Sequence, residues 1–158
     1  MRRFSTRSEA IAASDPIADI RLGAPTCYRP DMAKFTDLEI AALRSLFSEA
    51  PEITSLLEQQ LSVATVTERE NSGRGFFTTL SVPATVAPVE RSDPLSGETF
   101  ARIPGLEHGL GFALFFEGGR IETLEGFAYG PESTASLDLM NGAFEVLKMP
   151  INRSANVR

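Results

Sequence analysis

Two apolar segments joined by a pair of glycines constrain this fold more than any other feature. Residues 109–116 and 121–127 are rich in aromatic and aliphatic side chains, and Gly118 and Gly119 stand between them. Adjacent glycines supply the positive φ angles of a tight two-residue turn, so the pattern predicts an antiparallel hairpin. Side chains alternate between its faces. Both faces are apolar, with Phe112, Leu114 and Phe116 on one and Ala113 and Phe115 on the other. We therefore place this hairpin at the centre of a sheet, with both faces covered at least in part.

Two helices are predicted ahead of the sheet. Thr36 and Glu39 have the spacing of a capping box, in which each side chain binds the other residue's backbone N–H. Phe35 and Ile40 flank the box in positions that suit a hydrophobic staple. Pro51 suits the first turn of a second helix, and we expect the two helices to form a hairpin. Apolar residues at three- and four-residue spacing give each helix one buried side: Leu38, Ala42, Leu43, Leu46 and Phe47, then Ile53, Leu56, Leu57 and Leu61.

Further strands are predicted before the central hairpin. Residues 63–70 and 76–82 are rich in β-branched and aromatic side chains, and residues 71–75 between them have turn composition. Residues 83–97 contain three prolines, which lack the N–H donor of a strand ladder. We expect that segment to be a loop that covers the sheet. Residues 99–103 are predicted to form one more short strand.

The last part of the chain permits two interpretations. Leu137, Met140 and Phe144 fit a helical stripe, whereas Asn141-Gly142 fits a turn before a strand over residues 144–149. We prefer the strand. The predicted fold class is thus α+β, with an N-terminal helical hairpin packed on a small antiparallel sheet of about five to six strands.

The length of 158 residues and the 42% hydrophobic content fit one globular domain, placed at residues 35–149. Residues 1–34 mix Arg, Ser, Ala and Pro and are predicted to form a disordered arm, with residues 150–158 as a polar tail. Cys27 is the only cysteine, which excludes an intramolecular disulfide and a Cys-based metal framework. No apolar stretch approaches the roughly 20 residues of a membrane-spanning helix. We expect a cytoplasmic protein.

The net charge of −6 is unevenly distributed along the chain. Residues 1–34 carry a balance of +2 and the remaining residues a balance of −8. An acidic body repels phosphate backbones, so nucleic acid is not expected as a ligand. A basic protein partner fits this charge better.

Three segments together resemble a family of small bacterial α+β domains of unknown function. They are GRGFFTTLSVP at residues 73–83, GLEHGLGF at residues 105–112 and GGRIETLEGFAYG at residues 118–130. The resemblance spans about residues 35–149 and implies a helical hairpin followed by an antiparallel sheet. It implies no activity and no catalytic residue. Proteins of this size include immunity partners of secreted toxins, an analogy of genre alone.

Glu107, His108 and Glu125 are the candidate catalytic residues. His108 is the only histidine, and its loop is flanked by glycines that can bring it and Glu107 into a cleft. Register from the glycine turn places Glu125 near Gly111 or Ala113, so Glu107 and Glu125 are predicted to share one end of the sheet. An imidazole with carboxylates can perform acid–base catalysis or bind a divalent ion. The alternative is structural: Glu107 caps a turn, His108 packs against the hairpin, and Arg74 or Arg102 forms an ion pair with Glu125.

Other chemistries are disfavoured. The glycine-rich segments match no nucleotide-binding fingerprint, and Cys27 has no neighbouring histidine. We therefore predict a non-catalytic protein-binding module without cofactor or metal, such as an inhibitor or immunity protein whose acidic face meets a basic partner. The alternatives are an enzyme or ligand site at Glu107, His108 and Glu125, and self-association. Strand alternation is expected to place the strand phenylalanines mostly in the core: Phe76, Phe77, Phe112, Phe115, Phe116 and Phe127.

Overall fold

The structure is a computed structural model that describes residues 35–149. The predicted N-terminal arm, with Cys27, and the predicted C-terminal tail lie outside the described residues. Two helices and a six-stranded antiparallel sheet make up the described part, which confirms the α+β class. Neither of these two helices is long and apolar enough to span a membrane.

The first helix, α1, spans Asp37–Phe47 and begins at the predicted capping box. Thr36 Oγ1 accepts a hydrogen bond from the Glu39 N–H at 3.1 Å, and Glu39 Oε2 accepts one from the Thr36 N–H at 2.7 Å. The first turn thus satisfies two backbone donors that a helix leaves unpaired. The buried side of α1 consists of Leu38, Glu39, Ala42, Leu43, Leu46 and Phe47.

The second helix, α2, spans Thr54–Val63 and begins later than predicted. Pro51 lies in the turn that precedes it and not in its first helical turn. The Thr54 hydroxyl donates to the backbone oxygens of Phe47 at 2.7 Å and Ala50 at 3.0 Å. These bonds satisfy the carbonyl of Phe47, the last residue of α1, and the carbonyl of Ala50 in the turn, and they connect both to the first residue of α2.

The strands form one sheet in the order β1-β2-β5-β4-β3-β6, and each neighbouring pair is antiparallel. Both turns predicted from glycine-rich sequence, between β1 and β2 and between β4 and β5, are present. The bounds are β1 Thr65–Asn71, β2 Gly75–Ser81, β3 Leu95–Ile103, β4 Leu106–Glu117, β5 Arg120–Ala128 and β6 Glu145–Lys148.

The β4–β5 hairpin turns at the predicted glycine pair. Gly118 and Gly119 have φ angles of 59° and 77°, in the left-handed region that favours glycine. The register shifts by one residue between Phe115 and Phe116, and Glu125 consequently pairs with Ala113. β3 is longer than predicted because it begins at Leu95 and continues through a register irregularity.

The segment before β6 contains no helix, so the strand interpretation of the C-terminal part is confirmed and the helical one is wrong. Asp138 explains the outcome. Its Oδ1 accepts hydrogen bonds from the backbone N–H groups of Met140 at 3.0 Å and Asn141 at 2.9 Å. The backbone bonds from Asn141 and Met140 lower the pKa of Asp138. A side chain that binds these amides stabilises a turn in place of a helical ladder.

The core lies on one face of the sheet, beneath α1, α2 and buried residues of two long loops. Val89 of the proline-containing loop is 4% exposed and its N–H donates to Gly119 O at 2.8 Å, so this loop covers the sheet as predicted. Leu139 contributes from the loop before β6. The largest fully buried apolar side chains are Phe47, Phe112, Leu43, Leu46, Leu57, Leu110, Leu114, Ile121 and Leu124.

Candidate functional site

Glu107 and His108 lie side by side near the start of β4. His108 Nε2 is 4.0 Å from Glu107 Oε1, and the two side chains are 56% and 79% exposed. The Glu107 N–H donates to Glu132 Oε1 at 2.9 Å, and a Cβ at Gly130 would contact both Glu132 and His108. Glu132 therefore belongs to this group. Its place on a loop 25 residues along the chain gave no sequence signal.

Glu125 lies elsewhere, in the middle of β5. It pairs with Phe77 on one side and Ala113 on the other. Ala113 is six residues further along β4 than Glu107, which at 3.3 Å per residue is about 20 Å. The prediction that Glu107 and Glu125 share one end of the sheet is therefore wrong. Within residues 35–149, no group of three His, Cys, Asp or Glu side chains has a spacing that could hold a metal ion.

The predicted cation partners of Glu125 bind other groups. Arg74 NH2 donates to Gly130 O at 2.9 Å, and Arg102 NH1 lies 3.7 Å from Glu145 Oε1. The predicted ion pair with Glu125 is therefore wrong. Among residues 35–149, no hydrogen-bond or ion-pair partner contacts the Glu125 carboxylate, although the residue is only partly exposed.

Aromatic side chains surround Glu125 on the sheet face opposite the core, which we call the open face. The prediction that the strand phenylalanines lie mostly in the core holds for Phe76, Phe112 and Phe116 and is wrong for Phe77, Phe115 and Phe127. Alternation along each strand forces this split, because neighbours such as Phe76 and Phe77 must point to opposite faces. The apolar members of the open face, none of which belongs to the core of residues 35–149, are Phe77, Phe100, Phe115, Phe127, Tyr129 and Leu147.

Gly111 shapes one part of the open face. Phe127 and Tyr129 meet edge to face above it, with ring centroids 5.4 Å apart and planes at 78°. A Cβ at Gly111 would lie 2.5 Å from Tyr129 Oη and 2.6 Å from the Phe127 ring, so glycine is what lets these rings settle on β4. Partial burial raises the pKa of the Tyr129 phenol above its ordinary 10.0, and the negative charge of Glu49 raises it by a smaller amount. Tyr129 is therefore neutral at physiological pH.

The open face is acidic as well as aromatic. Glu70 pairs with Phe77 and Glu68 with Thr79, so both acids lie on the same face as Glu125. Because pairing extends across the sheet, Glu70, Phe77, Glu125 and Ala113 form one continuous row. Arg102 of the same face lies near Glu145. An acidic surface of this kind favours cationic partners.

A second polar group, centred on Glu39, is structural. The Glu39 carboxylate is 2% exposed, and it accepts hydrogen bonds from Arg69 at 2.7 and 2.9 Å, from the Thr78 hydroxyl at 2.7 Å and from the Thr36 N–H at 2.7 Å. A pocket of about 240 Å³ lies beside it, lined in part by Phe76. Every oxygen of Glu39 already binds protein donors, so this carboxylate joins α1 to β1 and β2.

A third group fastens the edge strand β6 to the end of α1. Lys148 Nζ donates to Ser45 O at 2.6 Å and to Glu49 Oε1 at 2.9 Å, and it lies 3.1 Å from Thr99 Oγ1. These three contacts can use all three ammonium hydrogens, and they hold the end of β6 against α1. Burial raises the pKa of Glu49. The hydrogen bonds from Thr99 and Lys148 and the positive charge of Lys148 together lower this pKa by more, so the net change is a decrease.

Comparison with family models, with curated proteins and with solved structures found no match for this chain. The resemblance to small bacterial α+β domains therefore stays a prediction. The assignment of function depends on the geometry of the three groups and the open face.

Proposed function

We propose that this chain is a non-catalytic protein-binding module that binds its partner through the open face. The observation that carries the proposal is the set of aromatic side chains that the sheet places outside the core, on the face away from the helices. Large apolar patches with polar rims are typical of protein interaction surfaces, and aromatic residues are enriched in such surfaces. In this proposal, α1 and α2 form the predicted helical hairpin that closes the core face and leaves the open face for a partner.

The charge of the open face supports a basic partner, such as the target of an inhibitor or immunity protein. Glu68, Glu70 and Glu125 would repel the phosphates of a nucleic acid, which needs cationic groups beside its stacking rings. Complementary charge mainly accelerates encounter, so the association rate with a basic partner should fall as salt rises.

The alternative, an enzyme or ligand site at Glu107, His108 and Glu125, has less support. Glu125 lies about 20 Å from Glu107 and about 17 Å from His108 along the strand direction. The side chains of Glu107 and His108 are largely exposed. Exposed groups lack the enclosed, water-poor environment that strengthens acid–base and electrostatic catalysis.

Site-specific photo-cross-linking tests the proposal. We would place the photoreactive residue p-benzoylphenylalanine at Phe77, in the open face, and as a matched control at Gln59, on the exposed side of α2. Both variants would be expressed in the native host, and cross-linked products identified by mass spectrometry. The proposal expects one defined partner from position 77 that is absent from position 59. That partner, once purified, should bind with an association rate that falls with salt.

The same experiment separates the other outcomes. A product made of two copies of this chain would replace partner binding with self-association. A cross-link confined to residues 1–34 of the same chain, or equal yields from both positions, would overturn the proposal. Loss of turnover in His108→Ala, for a reaction found in the native host, would support the enzyme alternative.

A further inference from the structure

Glu125 is a partly buried carboxylate with no cation beside it among residues 35–149. It lies at the centre of the sheet, partly buried, between Phe77 and Ala113. Removing a carboxylate from water is unfavourable unless hydrogen bonds or a cation compensate. No such group contacts Glu125 within residues 35–149. A cation supplied by another molecule could therefore form the ion pair that Glu125 lacks.

We infer that the partner inserts an arginine side chain over Glu125, an inference that rests on the proposed function. The guanidinium would bind the carboxylate and stack against the neighbouring phenylalanine rings.

The strand register surrounds Glu125 with small residues on one side and aromatic rings on others. Its row continues through the small residues Ala113 and Ser96, which pair with each other across β4 and β3. Phe115 is two residues from Ala113 on β4, and Phe127 is two residues from Glu125 on β5, so larger rings flank the row on both sides. An extended side chain can lie over the small residues between these rings.

Arginine fits this environment better than lysine. Its guanidinium is planar, weakly hydrated and able to bind both oxygens of a carboxylate. It also stacks on aromatic faces, an interaction that strengthens as water is excluded. The compact ammonium of lysine is more strongly hydrated and forms one directional contact at a time. The carboxylate with its neighbouring rings would therefore select for the shape of the cation as well as for its charge.

Peptide titration of the full-length chain tests the inference without knowledge of the partner. The probes are Ac-Gly-Arg-Gly-NH2, its lysine analogue and its citrulline analogue, which keeps the shape of arginine without the charge. Nuclear magnetic resonance would follow the backbone amide signals of Phe77, Ala113 and Phe127 and the ring signals of the two phenylalanines. We expect saturable shifts with arginine, affinity for lysine lower by about threefold or more, and no saturation with citrulline.

Glu125→Gln supplies the decisive variant and Glu70→Gln its matched control. Both remove one carboxylate from the same row, but Glu70 is exposed at the edge strand. Glu125→Gln should weaken arginine binding by about tenfold, and Glu70→Gln by less than about twofold, because exposed pairs contribute little. Thermal unfolding of both variants would confirm that each is folded.

Three results would overturn the inference: no arginine binding, equal binding of arginine and citrulline, or equal effects of the two variants. If the photoreactive residue at position 77 still cross-links a protein partner in these cases, only the arginine contact is wrong and the proposed function stands. If arginine binds as expected and Phe77 cross-links no partner, the cation site stands and the proposed function is wrong.

Discussion

The carboxylate of Glu39 and the guanidinium of Arg69 form a two-point ion pair, with Oε1 2.7 Å from Nε and Oε2 2.9 Å from NH2. Glu39 lies in the first turn of α1, and Arg69 lies on β1, 30 residues later. The capping-box residue is thus also the anchor that fixes the helix on the sheet.

Breaking this pair should destabilise the fold strongly. Glu39→Gln removes the negative charge from a side chain that is 2% exposed, and the loss of one partner of a buried pair costs about 3–5 kcal/mol. Glu58→Gln is the control, because Glu58 and Arg44 form an exposed pair at 3.5 Å, for which we expect less than about 1 kcal/mol. Urea unfolding measures both free energies. Similar values for the two variants would contradict the anchoring role.

The Glu49–Lys148 contact should make stability depend on pH. The pKa of Glu49 is lowered below its ordinary 4.5 in the folded state, so the unfolded state takes up a proton first as the pH falls. The stabilisation is therefore complete above about pH 4.5 and is lost as the pH falls through the lower, folded pKa. Glu49→Gln should reduce the free energy of unfolding at neutral pH, and its difference from wild type should shrink in acid.

Unfolding titrations of wild type, Glu49→Gln and Glu52→Gln between about pH 3 and pH 7 measure this effect. Glu52 is exposed and serves as the control for removing a surface carboxylate. A wild-type minus Glu49→Gln difference that stays constant over this range would show that the carboxylate charge does not stabilise β6.

Local sequence predicted the parts of the fold that depend on local chemistry. The Thr36–Glu39 box and the Gly118–Gly119 turn are both present because each needs only residues a few positions apart. The prediction that Pro51 lies in the first turn of the second helix is wrong. Pro51 lies in the preceding turn, and α2 begins at Thr54, whose hydroxyl binds the carbonyl of Phe47 at the end of α1. Periodicity alone could not separate helix from strand before β6, where Asp138 decides the outcome by binding two backbone amides.

The candidate site was predicted less well, since it depends on contacts distant in sequence. Strand alternation puts Phe76 and Phe77 on opposite faces, but it does not say which face the helices cover. That Phe77 and Phe127 share a face follows from the β2–β5 pairing, which joins residues about 50 positions apart. The glycine turn indicated Ala113 as one of two neighbours of Glu125, and the register shift in the β4–β5 pairing, which leaves Glu122 of β5 without a partner residue, decides between them. Sequence provided no means to see that Arg74 binds Gly130 O and Arg102 lies near Glu145, which leaves Glu125 without either cation.

Gln60 should hold the proline-containing loop and the β4–β5 turn together. Its side chain is fully buried, donates to Ala87 O and Gly119 O at 3.0 Å each, and accepts from the Ile121 N–H at 2.9 Å. Gln60→Leu keeps the size but leaves the Ala87 carbonyl and the Ile121 N–H without the side chain that binds them, at a cost of about 1–3 kcal/mol for each buried group. Gly119 O loses one of its two donors and keeps the Val89 N–H. Gln59→Leu, on the exposed side of α2, is the control.

Hydrogen exchange gives this prediction a local readout. The Ile121 and Val89 amides should exchange faster in Gln60→Leu, because Ile121 loses its acceptor and Val89 is held to Gly119, the residue that Gln60 also binds. Protection at these two amides equal to that of wild type would mean that the loop is held by other contacts.

Substitutions at Gly111 and Gly126 should distinguish the role of the open face from that of the core. Gly111 lies beneath aromatic rings of the open face, and Gly126 lies beneath an aromatic ring on the core side of the sheet. A Cβ at Gly111 would displace the outer ends of Phe127 and Tyr129, which can move toward solvent. A Cβ at Gly126 would contact the Phe76 ring, which packs against Phe112 in the core. Gly126→Ala should therefore lower stability by about 1–3 kcal/mol, as overpacked cores do. Gly111→Ala should lower it by less than Gly126→Ala does.

Binding should follow the opposite order. Gly111→Ala displaces Phe127, which flanks Glu125, together with Tyr129. It should therefore weaken both arginine-peptide binding and cross-linking from position 77. Gly126→Ala leaves these two rings in place and should preserve both below its unfolding temperature. Peptide titration and urea unfolding of the two variants measure the contrast. Loss of binding in Gly126→Ala alone would mean that the partner depends on the core and not on the open face. An unchanged affinity in Gly111→Ala would remove the Phe127–Tyr129 pair from the proposed interface.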